Sequence, residues 1–196
     1  MKGLLVTIGD SWTIGTGSSE GVAYGNYVAD ALNYELVNLG IGGNSNSGAV
    51  KTLLKKEYEN LKEKYDDVIV IFLLTDPIRF SFFSKNYIRN FSISHNSVFF
   101  NWYVKEVVQN LKIDPALETV FFLKMVEYFC KLYGYRFYYA SAFNSIEDIS
   151  ILYQTDGLLL PSGSFKHMLS KEEIAPCGHP NDDGYKKIAN YILKNI

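Results

Sequence analysis

Four short apolar runs punctuate the chain: LLVTIG at 4–9, ELVNLG at 35–40, DVIVIFLL at 67–74 and RFYYASAF at 136–143. Each stops at a glycine or a polar residue, and the length and branched or aromatic content of each predict a buried strand. Between and after them, YGNYVADALN (24–33), AVKTLLKKEYENLKEKY (49–65), LETVFFLKMVEYFCKLYG (117–134) and YKKIANYILKNI (185–196) carry apolar positions at helical spacing. The 49–65 segment sets Lys and Glu on its outer face, and Gly134 is placed to end the 117–134 helix.

Strands that alternate with helices, without hairpin signals between them, predict a parallel sheet covered on both faces. The expected architecture is a three-layer α/β/α sandwich around a mainly parallel, roughly five-stranded, flavodoxin-like sheet. A chain of 196 residues suits one domain, 1–196. In such folds the ligand crevice lies at the carboxyl ends of the strands. GDSWTIG (9–15), NLGIGGNSNSG (38–48) and TDPIR (75–79) all come directly after predicted strands, so they should converge there. Residues 77–103 break the rhythm, being dense in aromatics with no sustained period. They read either as a core excursion or as a lid or rim over the crevice.

Composition narrows the class. Apolar residues at 47% and charged residues at 20% describe a soluble globular chain. A net charge of -2 supplies no evident basic excess for phosphates, so a nucleic-acid partner is not expected. The N-terminal apolar run is interrupted at Gly9 and Asp10, too short for a membrane span and without a cleavage site, which predicts a cytoplasmic protein with no membrane insertion. Cys130 and Cys177 lack metal-ligand spacing and read as reduced thiols.

A serine hydroxyl attacks well only when a base within hydrogen-bonding reach takes its proton, and that base is usually histidine. Ser11 lies just past the first strand. Of the three histidines, His95 lies in the aromatic insertion, His167 in an unremarkable segment, and His179 in CGHPNDDG ahead of the last helix. Pro180 bars helix through His179, and Asn181 or Asp182 is placed to cap that last helix, so the imidazole should be held at a loop-to-helix junction. Backbone amides of Ser11 and of Gly43, in a glycine-rich turn after the second strand, are candidate oxyanion donors. Cys177, with no assigned base, reads as a packed residue rather than a second nucleophile.

These residues resemble the GDSL-type, or SGNH, esterases and lipases. GDSW (9–12) is similar to their first block, NLGIGGN (38–44) to their second and HPND (179–182) to their last. The resemblance spans nearly the whole chain in the expected order. It implies a serine esterase with Ser11 as nucleophile, His179 as base, and Ser11, Gly43 and Thr75 forming the oxyanion hole. Small acyl esters, acetyl groups on carbohydrate first among them, are the implied substrates; no cofactor or metal is called for, and activity should rise as the imidazole loses its proton. Asp10, Asn44, Asp76, Arg79 and Asp182 are supporting candidates.

Two departures stand out. LLTDP places Thr75 where the family has an asparagine that donates to the oxyanion, and Asp76 at its aspartate; Asn44 or Arg79 could substitute. The family's acid, three residues before the histidine, is here Pro176, so another acceptor must orient His179: a backbone carbonyl, or one of Glu172, Glu173, Asp182 and Asp183. TDP with Arg two residues on, together with CGHPN, looks most similar to versions carried by bacteriophages, which would imply virion association. Three other readings compete: a helix cap at Asp10 and Ser11, a nucleotide site, and a degenerate hydrolase that only binds glycan or protein. The nucleotide reading lacks both a P-loop lysine and the third glycine of a dinucleotide fingerprint.

Overall fold

The computed structural model describes residues 2–77, 79–84, 87–91, 114–143, 157–160 and 163–196. Its strands are β1 (Gly3–Gly9), β2 (Tyr34–Gly40), β3 (Asp67–Leu74), β4 (Phe80–Ser84), β5 (Tyr87–Phe91) and β6 (Arg136–Ser141). Its helices are α1 (Ser11–Ile14), α2 (Tyr24–Leu32), α3 (Asn46–Leu53), α4 (Pro115–Tyr133), α5 (Phe165–Met168) and α6 (Asp182–Leu193).

β2, β1, β3 and β6, in that spatial order, form one wholly parallel sheet. The central strands β1 and β3 are buried nearly end to end, as continuous apolar runs require when both faces are covered. Their side chains alternate between two cores. Leu4, Val6, Ile8, Val68, Val70 and Phe72 meet α3 and α4 on one face. Leu5, Ile69, Ile71 and Leu73 meet α2 and α6 on the other. This is the expected three-layer sandwich, with one strand fewer in the described sheet. At the fifth position, beside β6, Leu158 makes a single parallel bridge to Tyr139. The apolar run there is only LLL, cut short by Pro161.

The expected helix over 49–65 is a correction. α3 ends at Leu53, and two 3₁₀ turns come next, at Lys56–Tyr58 and Leu61–Glu63. The Tyr135 hydroxyl accepts from the Leu61 amide at 2.7 Å and donates to the Tyr58 carbonyl at 3.0 Å. It therefore takes backbone groups that a continuing helix would pair internally. α4 starts before the expected position because Asp114 accepts from the Ala116 and Leu117 amides and Pro115 fits the first turn. Within the aromatic insertion, β4 and β5 pair as an antiparallel hairpin, a period-2 element that the irregular spacing concealed. Residues 92–103, and with them the question of a lid, lie outside the described residues. Among the described residues, no helix is long and apolar enough to cross a membrane.

Ile71, fully buried at the centre of the sheet, tests this core. Ile71→Ala should lower unfolding stability by about 2–5 kcal/mol, read as a lower urea midpoint with unchanged slope.

Candidate active site

The three polar clusters do converge at the carboxyl ends of β1, β2 and β3. Asp10 caps α1, its carboxylate accepting from the Trp12 amide at 3.0 Å, which places Ser11 at the first helical position directly after β1. Asn44, fully buried, donates to the Gly9 carbonyl at 3.3 Å and ties the second cluster to the first. Asn46 ties it to the third: its side chain accepts from the Thr75 amide at 2.9 Å and donates to the Thr75 carbonyl and the Thr119 hydroxyl, each at 3.3 Å. Sequence reasoning missed Asn46, and its one signal was the density of small polar residues in GNSNSG.

His179 arrives from the far end of the chain on a hairpin. Ile174 and Pro180 form an antiparallel bridge, the Ala175 amide donates to the His179 carbonyl, and the Gly178 amide donates to the Ala175 carbonyl, both at 2.8 Å. Gly178 has φ +80°, open to glycine at little cost, so the bond pattern is a three-residue loop of turn plus glycine bulge. Pro176 takes the first central position of that turn, where its fixed φ is favoured.

This loop orients the imidazole. Nδ1 of His179 lies 3.1 Å from the Cys177 carbonyl oxygen, and Nε2 lies 2.9 Å from the Ser11 hydroxyl oxygen. A carbonyl only accepts, so Nδ1 must carry the proton. Nε2 then presents its lone pair to the Ser11 hydroxyl, as a general base requires. Of the acceptors considered in place of the missing acid, the structure therefore places the backbone carbonyl on His179.

The nearby carboxylates are engaged elsewhere. Asp182 accepts from the Ser19 amide at 3.0 Å and hydroxyl at 2.6 Å, and these bonds hold its carboxyl below the usual aspartate range. As a support for His179 it is corrected: it fastens the loop after α1 to the start of α6. Asn181, not Asp182, is the cap of α6, accepting from the Gly184 amide. Glu173 pairs with Lys187 at 2.8 Å, and Asp183 lies 3.8 Å from Lys186. The Glu172 carboxylate is hydrogen-bonded by the Ser170 side chain, which holds its carboxyl below the usual range.

Asp10 is the most constrained charge in the site. It is fully buried and accepts from the Trp12 amide, the Thr75 hydroxyl at 2.9 Å and the Arg79 guanidinium at 2.6 Å. Burial pushes its carboxyl above the usual range, against the pull of Arg79 and the other donors. Thr75 is a correction as an oxyanion donor. Its one hydroxyl proton goes to Asp10, its oxygen accepts from Arg79 at 2.8 Å, and its amide is held by Asn46. Arg79 lies over the Phe143 ring at 5.1 Å, and that ring meets Trp12 edge-on. The Asp76 carbonyl accepts the Arg79 amide, closing a turn that returns Arg79 to the site. Gly43 has φ +70° in the turn after β2, with open space where a side chain would project.

Cys177 is exposed rather than packed, and contributes its carbonyl; Cys130 is buried, which pushes its thiol up to about 12. His95 lies outside the described residues. His167 sits 2.9 Å from the Ser164 hydroxyl, but Ser164 is fully buried, so this second pair is closed to substrate. Gly17 is a further position that the sequence did not flag. With φ +100°, it lies so close that an added Cβ would come within 2.8 Å of the His179 Cβ and 2.7 Å of the Pro180 carbonyl oxygen.

Removing Arg79 would leave a buried carboxylate without its counter-charge. Arg79→Met should therefore destabilise the fold by about 3 kcal/mol at neutral pH. Losing Arg79 removes the charge that pulls the Asp10 carboxyl down, so burial raises it further in the folded variant, and the deficit should shrink as pH falls and grow as pH rises. Urea unfolding at a series of pH values measures both.

No family model matches the sequence, and no curated protein matches it. Solved structures do, over essentially the full length. A member of the lipolytic G-D-S-L family from Veillonella parvula is 12% identical, with TM-score 0.52 over 98% of this chain and 97% of its own. The psychrotrophic esterase EstA from a Pseudoalteromonas species, solved inhibited by monoethylphosphonate, is 13% identical, with TM-score 0.55 over 98% and 95%. A mutant of an acetyl-xylooligosaccharide esterase from Geobacillus Stearmophilus is 15% identical, with TM-score 0.54 over 99% and 93%. The parallel four-stranded sheet with helices on both faces matches the fold of these G-D-S-L, or SGNH, esterases.

Proposed function

We propose that the chain is a serine ester hydrolase working through a Ser11 acyl-enzyme. The observation that carries the reading is the 2.9 Å contact between the Ser11 hydroxyl and His179 Nε2, with the opposite nitrogen fixed on a backbone carbonyl. His179 takes the hydroxyl proton as Ser11 Oγ attacks the ester carbonyl, and the electron pair of the C=O bond moves onto oxygen. The Ser11 and Gly43 amides receive that oxyanion. Collapse breaks the bond to the alcohol, which leaves with the proton from His179; water, deprotonated by the same imidazole, then releases the acid.

A carbonyl dipole in place of a carboxylate lowers the rate without abolishing the reaction. In a serine triad, loss of the acid costs about 10⁴, largely through the wrong imidazole tautomer, and here the tautomer is the productive one. Small acyl esters, acetyl groups on carbohydrate first, fit the expectation from sequence, and a structural relative is described as acting on acetyl-xylooligosaccharides. The competing reading, a degenerate module that binds glycan, draws on the lack of a carboxylate at His179 among the described residues and on the Thr75 proton already given to Asp10.

An alkyl fluorophosphonate and p-nitrophenyl acetate separate the two. The hydrolase should be labelled at Ser11 and release nitrophenol, with Ser11→Ala and His179→Ala each losing at least about 10³ in kcat/KM. Absence of both labelling and release, with glycan affinity retained in Ser11→Ala, would establish the binding module instead. Cys177→Ala retains the carbonyl and should change kcat by less than roughly two-fold.

A further inference from the structure

The loop that orients His179 is held by bonds within itself. Nδ1 meets the Cys177 carbonyl, and the Ala175 and Gly178 amides close the same hairpin. Such bonds fix the ring relative to its own loop. They leave its distance from Ser11 to whatever fastens that loop to the nucleophile turn.

The segment from Thr16 to Ser19, just past α1, makes this connection. It lies along the first turn of α6 and is tied there at both ends. The Tyr185 hydroxyl donates to the Thr16 carbonyl at 2.8 Å. Ser19 donates twice to Asp182, from its amide to Oδ1 at 3.0 Å and from its hydroxyl to Oδ2 at 2.6 Å. Asp182 and Tyr185 are three residues apart and so share one face of the helix. Between the two ties, Gly17 passes so close to His179 that a Cβ there would lie 2.8 Å from the His179 Cβ.

We propose that the paired Ser19–Asp182 bond is a positioning strap for catalysis: by pinning the segment to α6 it holds Gly17 against His179 and keeps Nε2 within reach of the Ser11 hydroxyl. The proposal rests on the reading of His179 as the base for Ser11. Asp182 is then a positioning residue, acting on the base through the main chain. The span between them is short and stiff, because Pro180 has a fixed φ, the Asn181 amide donates to the Glu173 carbonyl and the Asn181 side chain caps α6.

The two ties differ in what their loss would do. Tyr185 is fully buried and belongs to the core, whereas the Ser19–Asp182 pair is exposed. The outer tie is therefore the end that can open without unfolding the domain. Both carboxylate oxygens of Asp182 accept, which makes the strap a charge-assisted bond of defined geometry. Once it is released, the imidazole gains room to turn away from Ser11, and a displacement of about 1 Å can cost about 10² in rate.

Steady-state kinetics on p-nitrophenyl acetate, together with ¹H–¹³C spectra of the His179 ring, test the strap. Wild type should give one sharp ring signal. Asp182→Ala should lower kcat about ten- to a hundred-fold, change KM by less than about two-fold, leave Tm nearly unchanged, and broaden or double the His179 signal. Asp182→Asn keeps an acceptor for the Ser19 amide and should recover kcat to within about three-fold of wild type. Asp183→Ala removes the same charge from the same helix turn, at a side chain 81% exposed and 3.8 Å from Lys186, and should match wild type.

Equal losses in Asp182→Ala and Asp183→Ala would overturn the proposal, since charge at the helix end would then be responsible. So would full activity in Asp182→Ala, a rise in KM alone, or a loss that follows Tm and vanishes on cooling. A wild type that neither releases nitrophenol nor takes a fluorophosphonate at Ser11 would remove the esterase reading instead. The ring signal then decides the strap by itself, and one sharp His179 signal in Asp182→Ala overturns it.

Discussion

The proposed chemistry rests on one hydrogen bond, from His179 Nδ1 to the Cys177 carbonyl. A free imidazole can carry its proton on either nitrogen, and only one choice leaves a lone pair facing Ser11. In a triad a carboxylate makes that choice and also stabilises the imidazolium that forms. Here a tight loop makes it with a main-chain dipole, which secures the tautomer and gives up part of the charge stabilisation.

The scaffold is arranged to keep that loop where it is. The Tyr185 hydroxyl on α6 donates to the Thr16 carbonyl, and Asp182 holds the Ser19 amide and hydroxyl, so the segment after the nucleophile is fastened to the helix that comes after the base. Gly17 lets that segment lie against His179 without a Cβ in between. On the other side, Asp10, Thr75 and Arg79 lock the nucleophile turn to the end of β3. The Thr75 hydroxyl belongs to that lock, so the proposed mechanism leaves the oxyanion to backbone amides, which need no reorganisation as charge develops.

Much of this was legible in the sequence because periodicity and local chemistry determine it. DVIVIFLL reads as a strand and is β3 to the residue, since a strand buried on both faces must be continuously apolar. The meeting of Ser11 with His179 could be read from motif order and from the rule that crevices open at strand ends. What stayed hidden was set by partners distant in sequence. The 49–65 pattern favours helix throughout, and Tyr135, more than seventy residues away, ends it. Pro176 reads as a lost acid, whereas in the loop it is the residue that a tight turn favours. Thr75 reads as a weak stand-in donor, and only the position of Asp10 shows where its proton goes. The β4–β5 hairpin gave no clear period because FSFFS and YIRNF do not alternate apolar with polar residues along the sequence.

The imidazole tautomer is directly observable. With ¹⁵N-labelled histidine, long-range ¹H–¹⁵N correlation spectra of the neutral protein, compared with His179→Gln for assignment, report which ring nitrogen is protonated. A protonated Nδ1 and a bare Nε2 at His179 is the result this account requires. A protonated Nε2 would contradict it, because the nitrogen facing Ser11 could not accept the hydroxyl proton.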